Sequence, residues 1–239
     1  MDAILDFGEK GFPGILVETI AIFINNLAAP ANTKVFSLTH RLHLTQPQAY
    51  IFDPELPYWI IYRNQLFDSV CRKLDFDVFE VFRDRQLTNK LLSSSGELRV
   101  LKSRNLSDDG KAILDIPGYD SYISYAAAKP LSVFQYLDAP NVYLTPNMTY
   151  KPRMMKKPPH CVVNGSLAIL IPKGGIVPTE KQLAYFSSEE YRAFYQIARN
   201  FQTRSLNVDA CSVFFYGLLR DEAKPAPEKF DTSVQLSFL

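Results

Sequence analysis

Residues 15–24 read ILVETIAIFI, a run in which only Glu18 and Thr19 are not apolar. The run is far shorter than the roughly 20 residues a membrane span needs. Its isoleucines and phenylalanine favour an extended chain, and apolar side chains at both odd and even positions suit a strand covered on both faces. A second strand-like run, residues 3–7, precedes it across GEKGFPG, a turn punctuated by Gly8, Gly11, Pro13 and Gly14. A hairpin this short cannot cover both of its own faces. It is therefore expected to complete a sheet whose other strands come from another chain.

The 239 residues can form one large domain, or a small element joined to a domain. With 47% hydrophobic and 13% aromatic residues, the composition is that of a folded chain rather than a disordered one. The expected class is α+β: a hairpin segment over residues 1–31, a mixed domain over 32–219 and a polar tail over 220–239. Cys71, Cys161 and Cys211 are odd in number and show no metal-ligand spacing with His40, His43 or His160. They read as reduced thiols of a cytoplasmic protein that holds no metal. The acidic start, MDAILDFGEK, lacks the basic region of a signal peptide.

Residues 33–57 read as a polar linker with one or two strands. Leu66, Phe67, Val70, Cys71 and Leu74 form a helical stripe within 62–74. Strands are expected at 76–82, 97–102 and 141–145, a short helix or turn at 85–92, a turn at 107–110 and a short helix at 132–137. Residues 161–171 fit two short strands around Asn164-Gly165, or one strand with a bulge. Thr179 before Gln182 is a capping box, and Ser188 before Glu189 and Glu190 starts a second helix. No internal repeat stands out.

The formal net charge is only +1, but the charge is segregated. Residues 79–105 carry four arginines and two lysines against three acids, interleaved with apolar residues. Residues 147–160 carry Lys151, Arg153, Lys156 and Lys157 and no acid, and their prolines keep the segment extended. Local basic stretches on a near-neutral chain suit a defined polyanion footprint better than general adhesion. Asparagine and arginine can pair with adenine and guanine edges while lysines track phosphates. No glycine-rich phosphate loop, GxSxG, HExxH or readable Ser/His/Asp set is present. The paired acids Asp108-Asp109 and Glu189-Glu190 sit where a turn and a helix start favour acids.

The segments FEVFRDRQLTNK, LRVLKSRNL, NVYLTPNMTYKPR, VVNGSLAILIPK and IARNFQTRSLN resemble the target-recognition region of gamma-class type II N6-adenine-specific DNA methyltransferases. Their arrangement is also similar to half of a type I restriction specificity subunit. AILDFGEKGFPGILVETIAIFI resembles the last conserved motif of the gamma-class catalytic domain. The family's S-adenosylmethionine-binding glycine motif and its Asn-Pro-Pro-aromatic motif do not occur in the chain.

The resemblance thus implies the C-terminal part of a methyltransferase, as one subunit of a split enzyme or as a fragment, not catalytic alone. Its hairpin would dock on a catalytic subunit that holds S-adenosylmethionine, and its second domain would bind double-stranded DNA. Phe12 would stack on an adenine flipped out of the duplex. Arg83, Arg85, Lys102, Arg104, Lys151 and Arg153 would hold phosphates or base edges; Gln86, Asn105 and Asn147 would read bases, with Tyr150 and Arg204 also at the DNA. The competing expectation is a protein-interaction module that completes a host protein's sheet and has no DNA role.

Overall fold

The computed structural model describes residues 1–15, 17–27, 30–202, 207–221 and 237–238. The fold is mixed α+β with several sheets. Strand β1 (Ala3–Gly8) pairs antiparallel with β2 (Thr19–Phe23), as the apolar runs imply, with a register shift at the left-handed Gly8. The sheet does not wait for another chain. Strand β3 (Asn32–Ser37) lies parallel to β1, and β4 (Leu42–Pro47) pairs antiparallel with β3. The stretch read as a polar linker with one or two strands supplies two, and the boundary expected at residue 31 falls inside one sheet.

Alternation decides which face of that sheet turns inward. Ile4, Val35 and Leu44 are in register across three strands, each no more than 6% exposed. Beneath them lie a short helix α1 (Gln48–Ile51) and α2 (Gln65–Cys71). Helix α2 starts at Asn64, whose side chain accepts the Phe67 amide at 3.0 Å. Arg63, just before this cap, pairs with Asp53 at 2.6 Å and Asp68 at 2.7 Å and lies over the rings of Tyr50 and Phe67.

The remaining strands follow as β5 (Leu74–Asp75), β6 (Phe79–Phe82), β7 (Leu98–Leu101) and β8 (Ser121–Ile123). A short helix α3 (Tyr125–Ala128) precedes β9 (Tyr143–Pro146), β10 (Met155–Lys156), β11 (Cys161–Val163) and β12 (Leu167–Pro172). Residues 161–171 form two strands, but not a hairpin. Strand β11 runs parallel to β7 in the sheet β11-β7-β8, whereas β12 lies between β9 and β6 in the sheet β10-β9-β12-β6. Local pattern specified each strand and not its neighbour.

Helices α4 (Glu180–Tyr185) and α5 (Glu189–Ala198) begin at the expected caps, Thr179 with a reciprocal Gln182 bond and Ser188. Strand β13 (Leu218–Leu219) pairs with β5, and β14 (Ser237–Phe238), within the expected polar tail, pairs with the outer edge of β4. One core gathers Ile4, Val35 and Leu44 with Phe67, Phe194, Phe215 and the tyrosines of α5; a second lies between the sheets of β7 and β12. Phe67 stacks on Phe194 at 5.1 Å. Full burial of each such ring is worth about 1.5–3 kcal/mol.

The first core also encloses hydroxyls. Burial raises the phenols of Tyr191 and Tyr216 well above their usual range, and those of Tyr58 and Tyr62 in the same direction. The fold holds these phenols neutral, whereas the unfolded chain releases their protons from about pH 10 upward. The folded chain then binds more protons, so stability is undiminished below that pH. Above it, stability falls by about 1.4 kcal/mol per pH unit for each phenol held neutral. An alkaline titration should show these phenolates appearing only together with loss of the near-ultraviolet circular dichroism; ionisation with the fold intact would contradict this packing.

Candidate nucleic-acid interface

Loops from both basic stretches meet at one place, around the turn that joins β11 to β12. The Ser103 amide donates to Ser166 Oγ at 2.9 Å, and the Asn147 amide donates to the Ser166 carbonyl at 3.0 Å. Gly165 has no room for a side chain: a Cβ there would sit 2.7 Å from the Asp84 carbonyl oxygen. Residues 83–86, 103–106, 147–153 and 164–166 therefore form one loop cluster, although Gly165 and Asp84 are 81 positions apart in the sequence.

Several residues expected at DNA hold this cluster together from inside, and their roles are corrected accordingly. Asn105 is fully buried; its Oδ1 accepts the Lys102 amide at 2.9 Å, and its Nδ2 donates to the Leu114 carbonyl at 3.0 Å and to Asp120 at 2.6 Å. Asn147, also buried, donates to the Gly165 carbonyl at 3.0 Å and to Asn207 at 2.6 Å and accepts the Val208 amide at 3.0 Å. Both N–H groups of each amide are used, so neither side chain can donate in the two-point contact that reads adenine.

Arg153 is 7% exposed, and its guanidinium donates to the carbonyls of Lys151, Ser103 and Leu106 at 3.0, 3.1 and 3.3 Å. Burial pulls its pKa down. Lys102 donates to the Tyr119 carbonyl and to Ser121 Oγ, with its ammonium 3.9 Å from the Tyr119 ring centre, and desolvation lowers its pKa too. The common cause is backbone accounting: loops that leave a sheet expose carbonyls with no ladder partner, and buried side-chain donors must satisfy them.

Other predicted residues remain on the outside. Arg85 and Arg104 are exposed and Arg83 is half-buried, and none of the three forms an ion pair among the described residues. Arg104 lies 4.7 Å from the Tyr119 ring, which orients it without neutralising it. Gln86 is exposed but anchored, its Oε1 accepting the Ser132 amide at 2.7 Å. Lys151 reaches Asp108 at 2.8 Å and holds that carboxyl below its usual range. Arg204 lies outside the described residues.

Tyr150, 47% exposed, carries the cluster towards the N-terminal sheet. It helps line a cleft of about 540 Å³ whose other side includes Gly8, Glu9, Lys10 and His40. Phe201 closes the cleft, 4.9 Å from the His40 ring, and Asn200 and Phe201 are both in the left-handed region at φ 47° and 61°. Asn200 is pinned by the Ile61 amide at 2.9 Å and the Trp59 carbonyl at 2.8 Å. Sequence reasoning placed neither His40 nor Phe201 at a site. Phe12, at the turn between β1 and β2, is 54% exposed and meets no other aromatic ring among the described residues.

The hairpin itself is left uncovered. Ile20, Ile22 and Phe23 of β2 are 42%, 41% and 52% exposed, and Ile15, Val17, Ile24 and Leu27 extend the patch. On its far side β2 has no strand among the described residues. Ile20 and Ile22 stand opposite Asp6 and Ile4 on the inward face, beyond the reach of the core, while Ala21 and Phe23 stand opposite Leu5 and Ala3 on the outer face. Both faces and one edge of the strand are thus open.

Among the described residues, no three His, Cys, Asp or Glu side chains converge to hold a metal, and no helix is long and apolar enough to cross a membrane. The division into struts and exposed cations separates two kinds of variant. Arg153→Ala should lower stability by about 3–5 kcal/mol, by stranding buried carbonyls and removing packed volume. Arg104→Ala should change it by less than about 0.5 kcal/mol. Urea unfolding of both variants checks the pair, and equal losses would overturn the division. No family model matches the chain, and no curated protein matches it.

Proposed function

We propose that the chain is the DNA sequence-recognition part of a split N6-adenine DNA methyltransferase, acting with a separate chain that binds S-adenosylmethionine and carries the Asn-Pro-Pro-aromatic motif. The observation that carries this reading is the convergence of two distant basic stretches on one loop cluster whose outward cations, Arg83, Arg85 and Arg104, form no ion pair among the described residues. Arg83, Arg85 and Lys151 would contact phosphates. Arg104, which lies over the Tyr119 ring, and Gln86, through its amide nitrogen, would reach base edges. Lys102, Asn105, Asn147 and Arg153 shape the loops and do not touch DNA.

The open hairpin supplies the second half of the reading. An apolar strand with both faces and one edge uncovered is a template for another chain's strand. In this reading the catalytic subunit adds that strand, and the dock brings Phe12 to the mouth of its active site, where the ring stacks on the extruded adenine. The same open strand also favours a second reading, a protein-interaction module that completes a host protein's sheet without DNA.

Duplex binding distinguishes the two. Affinity should fall with salt with a log–log slope of about −0.9 per phosphate contacted. Arg85→Ala should flatten that slope by about one contact, and Arg104→Ala should weaken binding to the cognate duplex by about 1–3 kcal/mol. Absence of salt-dependent binding would leave only the interaction module.

The hairpin has its own test. Ile22→Asp should abolish co-purification with a coexpressed catalytic subunit while leaving duplex affinity unchanged. Undiminished co-purification would place the dock elsewhere.

A further inference from the structure

The acids Asp108 and Asp109 share one turn and play different parts in it. Asp109 closes the turn: its Oδ1 accepts the Ser107 hydroxyl at 2.6 Å and the Lys111 amide at 3.1 Å. The turn is also fixed to the rest of the chain. Ser187 Oγ donates to the Asp109 carbonyl at 2.9 Å, and Gly110, left-handed at φ 71°, comes so near Met154 that a Cβ would sit 2.9 Å from its carbonyl oxygen. The Asp108 carboxylate takes no part in this. Among the described residues it accepts one hydrogen bond, from Lys151 at 2.8 Å, across 43 positions of sequence.

Lys151 is braced from its own side. Its amide donates to Thr149 Oγ1 at 2.9 Å, and its carbonyl accepts from Thr149 Oγ1 and from Arg153 Nη1, each at 3.0 Å. Two fixed loops therefore bring one carboxylate and one ammonium together at the rim of the cluster, with the Lys151 and Asp108 side chains 55% and 69% exposed. Water and salt screen a pair this open, so it adds little to stability, and another anion can take the place of the carboxylate. Its other effect is on the face that carries Arg83, Arg85 and Arg104. Those three form no ion pair among the described residues, whereas the charge of Lys151 is already answered.

We propose that Asp108 is a built-in counter-ion for Lys151 that a phosphate of duplex DNA must displace, so that it weakens attachment to duplexes in general. This rests on the DNA reading of the loop cluster. On displacement Lys151 exchanges a carboxylate for a phosphate, and Asp108 is left beside the DNA backbone, where its charge draws in a cation. That uptake offsets the counterion Lys151 sets free at the phosphate. While the pair is intact, Lys151 thus contributes little to the salt dependence of binding.

Fluorescence anisotropy of the full chain with a labelled random-sequence duplex, over a series of salt concentrations, tests it. Asp108→Asn should tighten binding about two- to fivefold at low salt and steepen the log–log slope by about 0.9. Lys151→Ala should remove that increment from Asp108→Asn, yet change the slope of the unaltered chain by less than half as much. Asp115→Asn makes the same change of net charge at a partner of Arg99, and Lys151→Ala should have the same effect in it as in the unaltered chain. An unchanged slope in Asp108→Asn, or an equal effect of Lys151→Ala with and without Asp108, would overturn the counter-ion and leave the DNA reading standing. Absence of salt-dependent binding by the unaltered chain would remove that reading, and the counter-ion with it.

Discussion

The Asp6 carboxylate is the joint on which the two parts of the molecule turn. It is 3% exposed, and it accepts the Gly8 amide at 2.8 Å, the Ser37 hydroxyl at 3.2 Å and the Tyr62 hydroxyl. These donors come from the end of β1, from the parallel neighbour β3 and from the segment that leads into α2. A buried carboxylate is costly unless hydrogen bonds replace its water, and here three donors do so. The bonds also explain why the hairpin sits at one angle on the rest of the chain. Moving it would strand a charge in the core, a penalty of several kcal/mol. The cleft beside Tyr150 inherits its shape from this joint, because Asp6, Gly8 and His40 all line it.

Much of the secondary structure was legible because its signals are local. Caps at Thr179 and Ser188, the stripe of α2 and the strands on either side of Asn164-Gly165 are read from residues within a few positions of one another. Strand partners were not legible. The β1–β3 pairing joins an apolar run to a stretch whose side chains, Asn32, Thr33 and Lys34, look like a linker. Thr33 is nonetheless fully buried, its hydroxyl donating to the Met1 carbonyl at 2.9 Å. Residue type reports polarity, whereas burial of a polar residue depends on which carbonyl awaits it across the fold.

The same limit explains the site. Basic and amide residues in proline-rich loops suggest a wet surface, and Arg85 and Arg104 keep that promise. Arg153, Asn147 and Asn105 carry the same chemistry inward, because four loops without ladder partners need internal donors to hold their shape. The cluster divides its polar residues between those that set the form of the surface and those that present charge. That division follows exposure and not sequence position, since Arg104 and Asn105 are adjacent and face opposite ways.

The uncovered face of β2 has a consequence for the chain as a material. Solvent meets isoleucine and phenylalanine on a strand whose free edge can pair with any extended segment, and two copies of the chain offer each other that segment. Concentration alone therefore favours self-association through these edges, and the yield of monodisperse protein depends on what else occupies the strand. A chain that covered β2 would act as a solubility factor for this one.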